Sequence, residues 1–168
     1  MRAQTRRLSF GQTELDGTDI RILQVLQDEG RISKSDLAAR VHLSNSACFE
    51  RMRRLEQSGI IRSYHARLDL DLMEDLQIFQ THVVLGSHRQ EDFTRFEAYV
   101  AANDMIAECY GLGGGIDYSL TCVARRISDY QGLIDDLLSR GLNVERYYTY
   151  VVTKQVKRRE IGIDRLLG

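Results

Sequence analysis

The sequence predicts an α+β protein of two domains, and three observations lead to this prediction. Signals for three short helices fall within residues 15–59, strands and helices alternate from residue 77 onward, and the two halves differ in charge. Residues 1–68 contain twelve Lys and Arg against eight Asp and Glu, whereas residues 69–168 contain eleven against sixteen. Opposite charge in two halves of a chain indicates separate domains, of which the basic one suits a polyanion.

The first two helices are predicted from their N-terminal caps. Asp16 is followed three residues later by Asp19, and Ser33 is followed in the same way by Asp36. This spacing is typical of a capping box, in which the two side chains accept hydrogen bonds from free backbone N–H groups at the start of a helix. Apolar residues at helical spacing follow each cap, and Gly30 ends the first helix.

The third helix is predicted from Ser44 to Gly59, and it follows the second almost at once. Only two residues separate the end of the second helix from the Ser44 cap. Two short helices joined by so tight a turn must cross steeply, which is the helix-turn-helix geometry. We therefore predict a winged helix-turn-helix domain over residues 15–68, in which residues 60–66 pair as a β wing or lead out as a strand.

The second half contains six predicted elements in the order βαββαβ. The strands are expected at residues 77–85, 105–112, 117–124 and 144–153, and the helices at residues 91–102 and 128–139. The side chains expected to face inward from the two helices are Phe93, Phe96 and Val100, then Tyr130, Leu133, Leu137 and Leu138. This order predicts a ferredoxin-like domain over residues 77–157, with a four-stranded antiparallel sheet and both helices on one face.

The opposite face of this sheet requires a partner. The last strand, residues 144–153, is rich in Tyr and Val and is apolar on both sides. Such a face indicates contact with another subunit rather than with water, so we expect at least a homodimer. The remaining segments are expected to be a flexible basic arm (residues 1–14), an acidic linker (69–76) and a C-terminal tail (158–168) to which the sequence assigns no role.

Composition argues against membrane, metal and catalytic functions. No apolar run approaches the roughly 20 residues that a membrane-spanning helix needs, and the N-terminus lacks the apolar core of a secretory signal. The three cysteines form no CxxC pair, which favours reduced thiols in the cytoplasm. The four histidines have no metal-ligand spacing, and no hydrolase or metalloprotease motif is present. We therefore expect no metal, no cofactor and no enzymatic activity.

The third helix carries the candidate DNA-binding residues. Cys48, Met52 and Leu55 fall on one side of it and should face the first two helices. Short polar groups near the start of a helix and arginines further along are what a major-groove recognition helix needs. The candidate DNA-binding residues are Ser44, Asn45, Ser46, Phe49, Glu50, Arg51, Arg53 and Arg54.

The alternative interpretation of this helix is an ordinary solvated charged face. The caps, the tight turn and a local excess of five positive charges over residues 30–68 favour DNA. Glu50 either accepts a hydrogen bond from a cytosine amine or pairs with Arg53 or Arg54, and we favour the ion pair. Phe49 either touches a thymine methyl group or packs against the wing.

A glycine-rich turn between the second and third strands is the second candidate site. Four of the five residues 111–115 are glycine, and Asp117 follows. The turn lacks the Gly-Lys-Ser/Thr of a phosphate-binding loop and precedes a strand rather than a helix. Asp117 suits an amino group and the glycine N–H groups suit a carboxylate, so an amino acid is a plausible ligand. The alternative is that Asp117 only caps the turn, and the sequence leaves both interpretations open.

Taken together, these motifs resemble the Lrp/AsnC ("feast/famine") transcriptional regulators. The resemblance covers about residues 15–157. It rests on Asp28-Glu29-Gly30-Arg31-Ile32-Ser33, Leu43-Ser44-x-Ser46-x-Cys48-x-x-Arg51-Met52-x-Arg54-Leu55-Glu56-x-x-Gly59-Ile60-Ile61, Gly114-Gly115-Ile116-Asp117-Tyr118 and Thr149-Tyr150-Val151-Val152.

The resemblance implies a fold, an assembly and an effector. The C-terminal domain would be of the RAM/ACT type, and dimers formed through the sheets would assemble into tetramers or octamers. Amino acids or related metabolites would bind near the Gly-x-x-Asp turn at contacts between dimers. The corresponding effector positions are Gly114, Asp117, Ile127, Tyr150, Val151 and Val152. Gly115 departs from the pattern, because relatives often carry a second acid there, and this puts the same effector chemistry in doubt.

The sequence therefore predicts a cytoplasmic, nucleoid-associated regulator that binds double-stranded operator DNA. Its effector would be an amino acid or a derivative, and it would control uptake or catabolism of that compound. The alternative is an architectural protein that organises DNA without a ligand.

Overall fold

The computed structural model describes residues 8–10, 13–66, 68–73, 75–157, 161–163 and 165, which divide into two compact units. The first comprises Met1–Leu68 together with Lys157–Gly168, and the second comprises Asp69–Val156. The predicted α+β architecture, a helix-turn-helix domain followed by a ferredoxin-like domain, is confirmed. The elements of the first unit are β1 (Leu8–Phe10), β2 (Thr13–Leu15), α1 (Gly17–Asp28), α2 (Lys34–Arg40) and α3 (Asn45–Gln57).

All three helices of the first unit begin at the predicted caps. Asp16 accepts hydrogen bonds from the backbone of Thr18 and Asp19, and the Asp19 carboxylate accepts one from the Asp16 amide, which completes the capping box. Ser33 and Ser44 cap α2 and α3 through their hydroxyl groups. These bonds satisfy N–H groups that have no partner within the helix, so the caps fix where each helix starts.

The core of the first unit joins the three helices. The inward residues of α3, Cys48 and Leu55, are almost fully buried, and Met52 is partly buried. They pack with apolar residues from β2, α1 and α2, chiefly Leu15, Ile20, Ile22, Leu23, Leu37, Ala38 and Val41. Because this core holds α3 by its apolar side, the polar side of α3 faces away from the domain.

Two expectations for the first unit are wrong. Within the expected flexible arm, residues 1–14, Leu8–Phe10 pair antiparallel with Thr13–Leu15. The arm contains Leu8 and Phe10 on either side of Ser9, the two-residue alternation of a strand. Residues 1–7, 11 and 12 lie outside the described part of the chain. Residues 60–66 form neither a β wing nor a lead-out strand, because no strand among the described residues pairs with them; Ile60 and Ile61 pack instead against the core.

The second unit is an antiparallel sheet with two helices. Its elements are a 3₁₀ turn (Leu70–Leu72) within the predicted linker, β3 (Gln77–Leu85), α4 (Gln90–Ala101), β4 (Ile106–Gly111), β5 (Tyr118–Ala124), α5 (Ile127–Ser139) and β6 (Val144–Val151). The strand order is β4-β5-β3-β6, and every neighbouring pair is antiparallel. This is the predicted βαββαβ arrangement.

One face of the sheet and both helices enclose the core of the second unit. Alternate residues of β3 and β5 are buried, including Phe79, Val83 and Leu120, and they pack against Phe96 of α4 and Ile134 of α5. The expected inward position of Leu138 is wrong, since its side chain is 44% exposed. Leu138 lies a full 100° around the helix from Leu137, whereas Ile134 shares the buried side.

The other face of the sheet has no covering element within the described residues of this unit. The strand positions on it include Ile78, Gln80, His82 and Val84 of β3, Glu108 and Tyr110 of β4, Ser119, Thr121 and Val123 of β5, and Arg146, Tyr148 and Tyr150 of β6. Tyr148 and Tyr150 are 40% and 55% exposed. Large aromatic side chains on an open sheet face are typical of an interaction surface.

The sequence predicted a separate C-terminal tail. In the structure, the described residues of the tail belong to the first unit. Ile163 is 5% exposed and forms part of the core that α1, α2 and α3 share. The reason is its apolar side chain, since burial removes that surface from water.

Candidate nucleic-acid interface and effector site

The outer side of α3 presents the surface that the sequence predicted for DNA. Asn45, Ser46, Phe49, Glu50 and Arg53 are all exposed on it. Ser44 caps the helix through its hydroxyl group, which also lies 3.2 Å from the hydroxyl of Ser46. Polar side chains at the start of the helix and a cation one to two turns later match the geometry of a major-groove reading helix.

A residue of α2 adds to this surface. The Lys34 ammonium nitrogen lies 4.6 Å from the centroid of the Phe49 ring, and Phe49 is 48% exposed. The ring is therefore held by a cation rather than packed into a wing. Lys34 was missed from the sequence, because its contact with Phe49 spans two helices and has no local signal.

Two of the predicted DNA-binding arginines have partners inside the domain. Arg51 donates to Asp16 at 2.7 Å and to Asp19 at 2.8 Å, and Arg54 donates to Asp19 at 2.5 Å. The Asp19 side chain is only 1% exposed. A buried carboxylate needs compensating charge, so these arginines join α3 to the start of α1. Arg53 has no ion pair among the described residues and is exposed.

The capping carboxylate Asp16 is part of the same network. Burial alone would raise the pKa of the Asp16 carboxyl, but hydrogen bonds from the Asp19 amide, the Arg51 side chain and the Thr18 amide outweigh it and lower the pKa to about 2. The group is thus charged at every physiological pH. One carboxylate both caps α1 and binds an arginine of α3.

The favoured ion pair of Glu50 is not formed. Within the described part of the chain, Glu50 pairs with neither Arg53 nor Arg54 and is exposed. Arg54 is drawn to the buried Asp19 carboxylate, which leaves Glu50 facing outward. The other interpretation, a hydrogen bond from a cytosine amine, is compatible with that position.

Asp117 of the glycine-rich turn is engaged in the structure. Its carboxylate accepts hydrogen bonds from the Leu85 amide at 2.8 Å, and its other oxygen lies 2.9 Å from Nε2 of His88. The side chain is 13% exposed. Asp117 therefore holds the end of β3 against the turn, and each of its oxygens already has one hydrogen-bond partner. The glycines that follow β4 are exposed, and Gly114 has a φ of 148°.

The predicted effector residues lie at opposite ends of the sheet within one chain. The Asp117 amide bonds to the carbonyl of Val83, whereas the Val152 amide bonds to that of Ile78. Five strand residues separate those two points, a distance of about 17 Å. Ile127, Tyr150 and Val151 belong to the Val152 end and are exposed, while Gly114 belongs to the Asp117 end. One chain alone does not bring the six positions together.

Comparison with family models decides what kind of protein this is. A model described as winged helix-turn-helix DNA-binding matches residues 15–62, and one described as Lrp/AsnC ligand binding domain matches residues 78–161. The chain belongs to the Lrp/AsnC family. It is accordingly a DNA-binding transcriptional regulator with a ligand-binding domain, in a family whose members are not enzymes.

Individual Lrp/AsnC relatives agree over nearly the whole chain. The transcriptional regulatory protein DoeX of Halomonas elongata is 44% identical over 90% of this chain and 96% of its own. A leucine-responsive regulatory protein of Haemophilus influenzae is 35% identical over 86% of this chain and 87% of its own.

Solved Lrp/AsnC structures agree with the fold. An AsnC family regulator from Agrobacterium tumefaciens has a TM-score of 0.82 at 26% identity, and a regulator from Neisseria meningitidis in complex with L-Met has 0.81 at 30% identity. Each superposition covers 90% of this chain and 99% of the solved chain.

The cysteine thiols lie away from the two candidate sites. Burial raises the pKa of the thiols of Cys48, Cys109 and Cys122, so none is an activated nucleophile. The described residues include no cluster of side chains suited to a metal ion. None of the described helices combines the length and apolarity that crossing a membrane requires.

Proposed function

We propose that the chain reads a specific DNA operator through α3 and changes its DNA affinity or assembly when an amino acid or a derivative binds. One observation supports the DNA half of this proposal more than any other. The domain core and the Asp19 network hold α3 by one side, and the opposite side offers Ser46, Phe49, Glu50 and Arg53 to solvent. A rigid helix with an uncommitted polar side is suited to major-groove reading.

Charge supports the same surface. The first unit, which includes the tail, contains sixteen basic and ten acidic residues, a net charge of +6, whereas the second contains seven and fourteen, a net charge of −7. A basic unit attracts phosphate, and the acidic unit is repelled from it. DNA should therefore approach by the helix-turn-helix. We assign Arg53 and Lys34 to DNA, and we assign Arg51 and Arg54 mainly to holding α3.

A homodimer through the open sheet face would supply two recognition helices. The face carries Tyr148, Tyr150 and His82 without a covering element among the described residues. Two copies of α3 could then read half-sites one helical turn of DNA apart, a spacing of about 34 Å. Assembly of such dimers into tetramers or octamers is part of the proposal.

The effector site is proposed to lie between copies of the chain. The Asp117 and Val152 amides bond to points of β3 that are about 17 Å apart. The exposed glycines lie near the first point, and Tyr150 and Val151 lie toward the second, so a second copy would have to bring such surfaces together. An amino acid is favoured because backbone N–H groups of the turn suit a carboxylate and because the Neisseria relative was solved with L-Met. Control of uptake or catabolism of that compound, in the cytoplasm and at the nucleoid, completes the proposal.

The architectural alternative draws on one observation. Asp117 already holds Leu85 and His88, as it would in a turn that binds no ligand. A purely architectural protein would retain DNA without responding to metabolites.

The experiment that tests the proposal is selection of genomic DNA fragments by the purified full-length protein, with and without a mixture of the twenty amino acids. We expect a small set of enriched fragments whose retention changes with the mixture. Arg53→Ala provides the matched control and should retain few of them. Enrichment of no particular sequence, or the same enrichment by Arg53→Ala, would contradict the assignment of α3.

A further inference from the structure

An apolar groove lies on the first unit, beside the end of α1. The part of it that stays open beside the C-terminal Ile163 has a cavity volume of about 390 Å³. Leu23 and Leu26 of α1 line it together with Ile60, Ile61 and Tyr64 after α3. These side chains are apolar along most of their length and come from two segments distant in sequence. A groove of this kind on a small domain would expose apolar surface to water unless something occupied it.

The C-terminal segment of the chain already occupies part of the groove. Ile163 is 5% exposed and lines the groove next to the α1 residues. Gln27 holds the segment on both sides of Gly162: its side-chain amide donates to the Ile161 carbonyl at 3.1 Å, and its side-chain carbonyl accepts from the Ile163 amide at 2.9 Å. One glutamine thus satisfies a carbonyl and an amide two residues apart, as a neighbouring β-strand would.

The buried anchor Ile163 lies just beyond the residues that the ligand-binding family model matches. The Lrp/AsnC ligand binding domain model ends at residue 161, two residues before the buried anchor. Ile163 therefore lies outside the residues that the two family models match, whereas Gln27 and Ile161 lie within them. We propose that the groove is a binding site for the chain's own C-terminal segment, with Ile163 as the anchor and Gln27 as the residue that recognises its backbone.

The docked segment gives the chain a second connection between its two units. The first connection is at residues 68–69, and the second is at residues 156–157, after β6 has ended at Val151. Residues 153–157 are exposed and form no helix or strand. When Ile163 is docked, both connections restrain the helix-turn-helix, and when it is released only one does. Restraint of a binding module reduces the entropy that it loses on binding.

The docking of Ile163 is weak enough for the segment to be released and to bind again. Burial of one isoleucine favours the docked form by a factor of about ten to a hundred. A contact of this size can be released by an event elsewhere in the chain, and the second connection follows directly on β6, where Tyr150 and Val151 are predicted effector positions. This regulatory role rests on the proposed function; the docking itself does not.

The direct test is amide hydrogen exchange in the full-length protein, resolved at Ile163. The Ile163 amide donates to Gln27, so Gln27→Ala should accelerate its exchange by about tenfold or more, while the amides within α1 keep their protection. Gln24→Ala on the same helix is the matched control and should change nothing at Ile163. Fast exchange of Ile163 in the unmodified protein would overturn the proposal.

A peptide of residues 157–168 provides the second test, and it works without DNA. A chain ending at Val156 should bind the labelled peptide saturably, whereas the full-length chain, with its groove occupied, should bind it at least about tenfold more weakly. The same peptide with Ile163→Asp should not bind. Equal binding to both chains would contradict the proposal, and protection at Ile163 that rises with protein concentration would assign the segment to a second copy instead. If the shortened chain does not fold, the exchange result at Ile163 decides.

The link to regulation needs its own measurement. Gln27→Ala should weaken binding to a selected genomic fragment by about threefold to tenfold, because restraint and not the DNA surface is lost. Loss of peptide docking without any effect on DNA would refute the regulatory role alone. Failure of the unmodified protein to bind DNA would refute the proposed function and leave the docking standing.

Discussion

The surroundings of the three arginines of α3 determine which of them is free to contact DNA. Arg51, Arg53 and Arg54 look equivalent in the sequence, and all three were predicted to contact DNA. Arg51 and Arg54 are bound to Asp19, whose side chain is 1% exposed, while Arg53 is exposed. Asp19 precedes Arg51 by 32 residues, so no local pattern on α3 could separate these roles.

Replacement of Arg53 and Arg54 should have different consequences. Arg53→Ala should weaken operator binding by about 1–3 kcal/mol if it reads a base, or lower the salt slope by about 1 if it contacts phosphate, with the melting temperature unchanged. Arg54→Ala should mainly reduce stability, because it removes a partner of the buried Asp19. Anisotropy titrations at several salt concentrations and thermal melts of both variants make the comparison. Equal losses of DNA affinity with no change in stability would contradict the division of roles.

The Asp16 carboxyl should make the first unit sensitive to acid. Its pKa in the folded protein is lowered to about 2 from an ordinary value of 3.8, so its charge stabilises the fold above about pH 4 and that contribution is lost as the pH falls toward 2. Asp16→Asn keeps an acceptor for the cap but removes the charge beside Arg51.

Urea unfolding across this range measures the effect. At pH 7 the variant should be less stable by about 1 kcal/mol, a value reduced for solvent screening because the Asp16 side chain is 41% exposed. The difference between variant and unmodified protein should vanish near pH 2. A difference that stays constant from pH 7 to pH 2 would show that the charge of Asp16 does not contribute.

At the scale of elements, the starts of the helices could be predicted because they depend on residues close together in the sequence. The helix starts at Asp16, Ser33 and Ser44 follow from side-chain hydrogen bonds within three residues, and the sequence contains both partners of each bond. The expected wing strand at residues 60–66 failed because a strand needs a partner backbone, which its own sequence does not contain. The positions on the open face of the sheet followed from the two-residue period once the strands were known.

The turn at Asp117 should separate structural from ligand-binding roles through two variants. Asp117→Ala leaves the Leu85 amide without its acceptor and should cost about 1–3 kcal/mol of stability. Asp117→Asn keeps an acceptor for Leu85 but loses the negative charge, so it should stay folded. If the effector's amino group is bound by this charge, Asp117→Asn should bind DNA normally and respond weakly to the effector. A full response would place amine recognition elsewhere.

At the scale of the molecule, the sequence shows a basic first half and an acidic second half. It does not show that the C-terminal residues belong to the basic unit. Residues 157–168 add a net charge of +2 to the first unit, and among them Ile163 is buried in the core of that unit. The effector positions show the same limit. They lie in separate stretches of the sequence, and a single chain does not bring them together in the fold.

The open sheet face should make the protein at least dimeric. Light scattering should give a mass of twice 19.3 kDa or more at micromolar concentration. Val123→Glu places a charge on that face, where β5 pairs with Ile78, and should shift the mass toward one chain, since a desolvated unpaired charge opposes association. Ala98→Glu on the exposed side of α4 is the control and should leave the mass unchanged. A monomer in the unmodified protein would contradict the assembly.

The most direct test of the whole account is the affinity of the purified protein for one selected genomic fragment, titrated with each of the twenty amino acids at constant salt. At least one of them should change Kd by about fivefold to 150-fold, the range typical of coupling between two sites. Arg53→Ala should abolish tight binding with or without that ligand. Tight, sequence-specific binding that no amino acid changes would contradict an amino acid as the effector, and a fragment bound equally well by Arg53→Ala would contradict reading by α3.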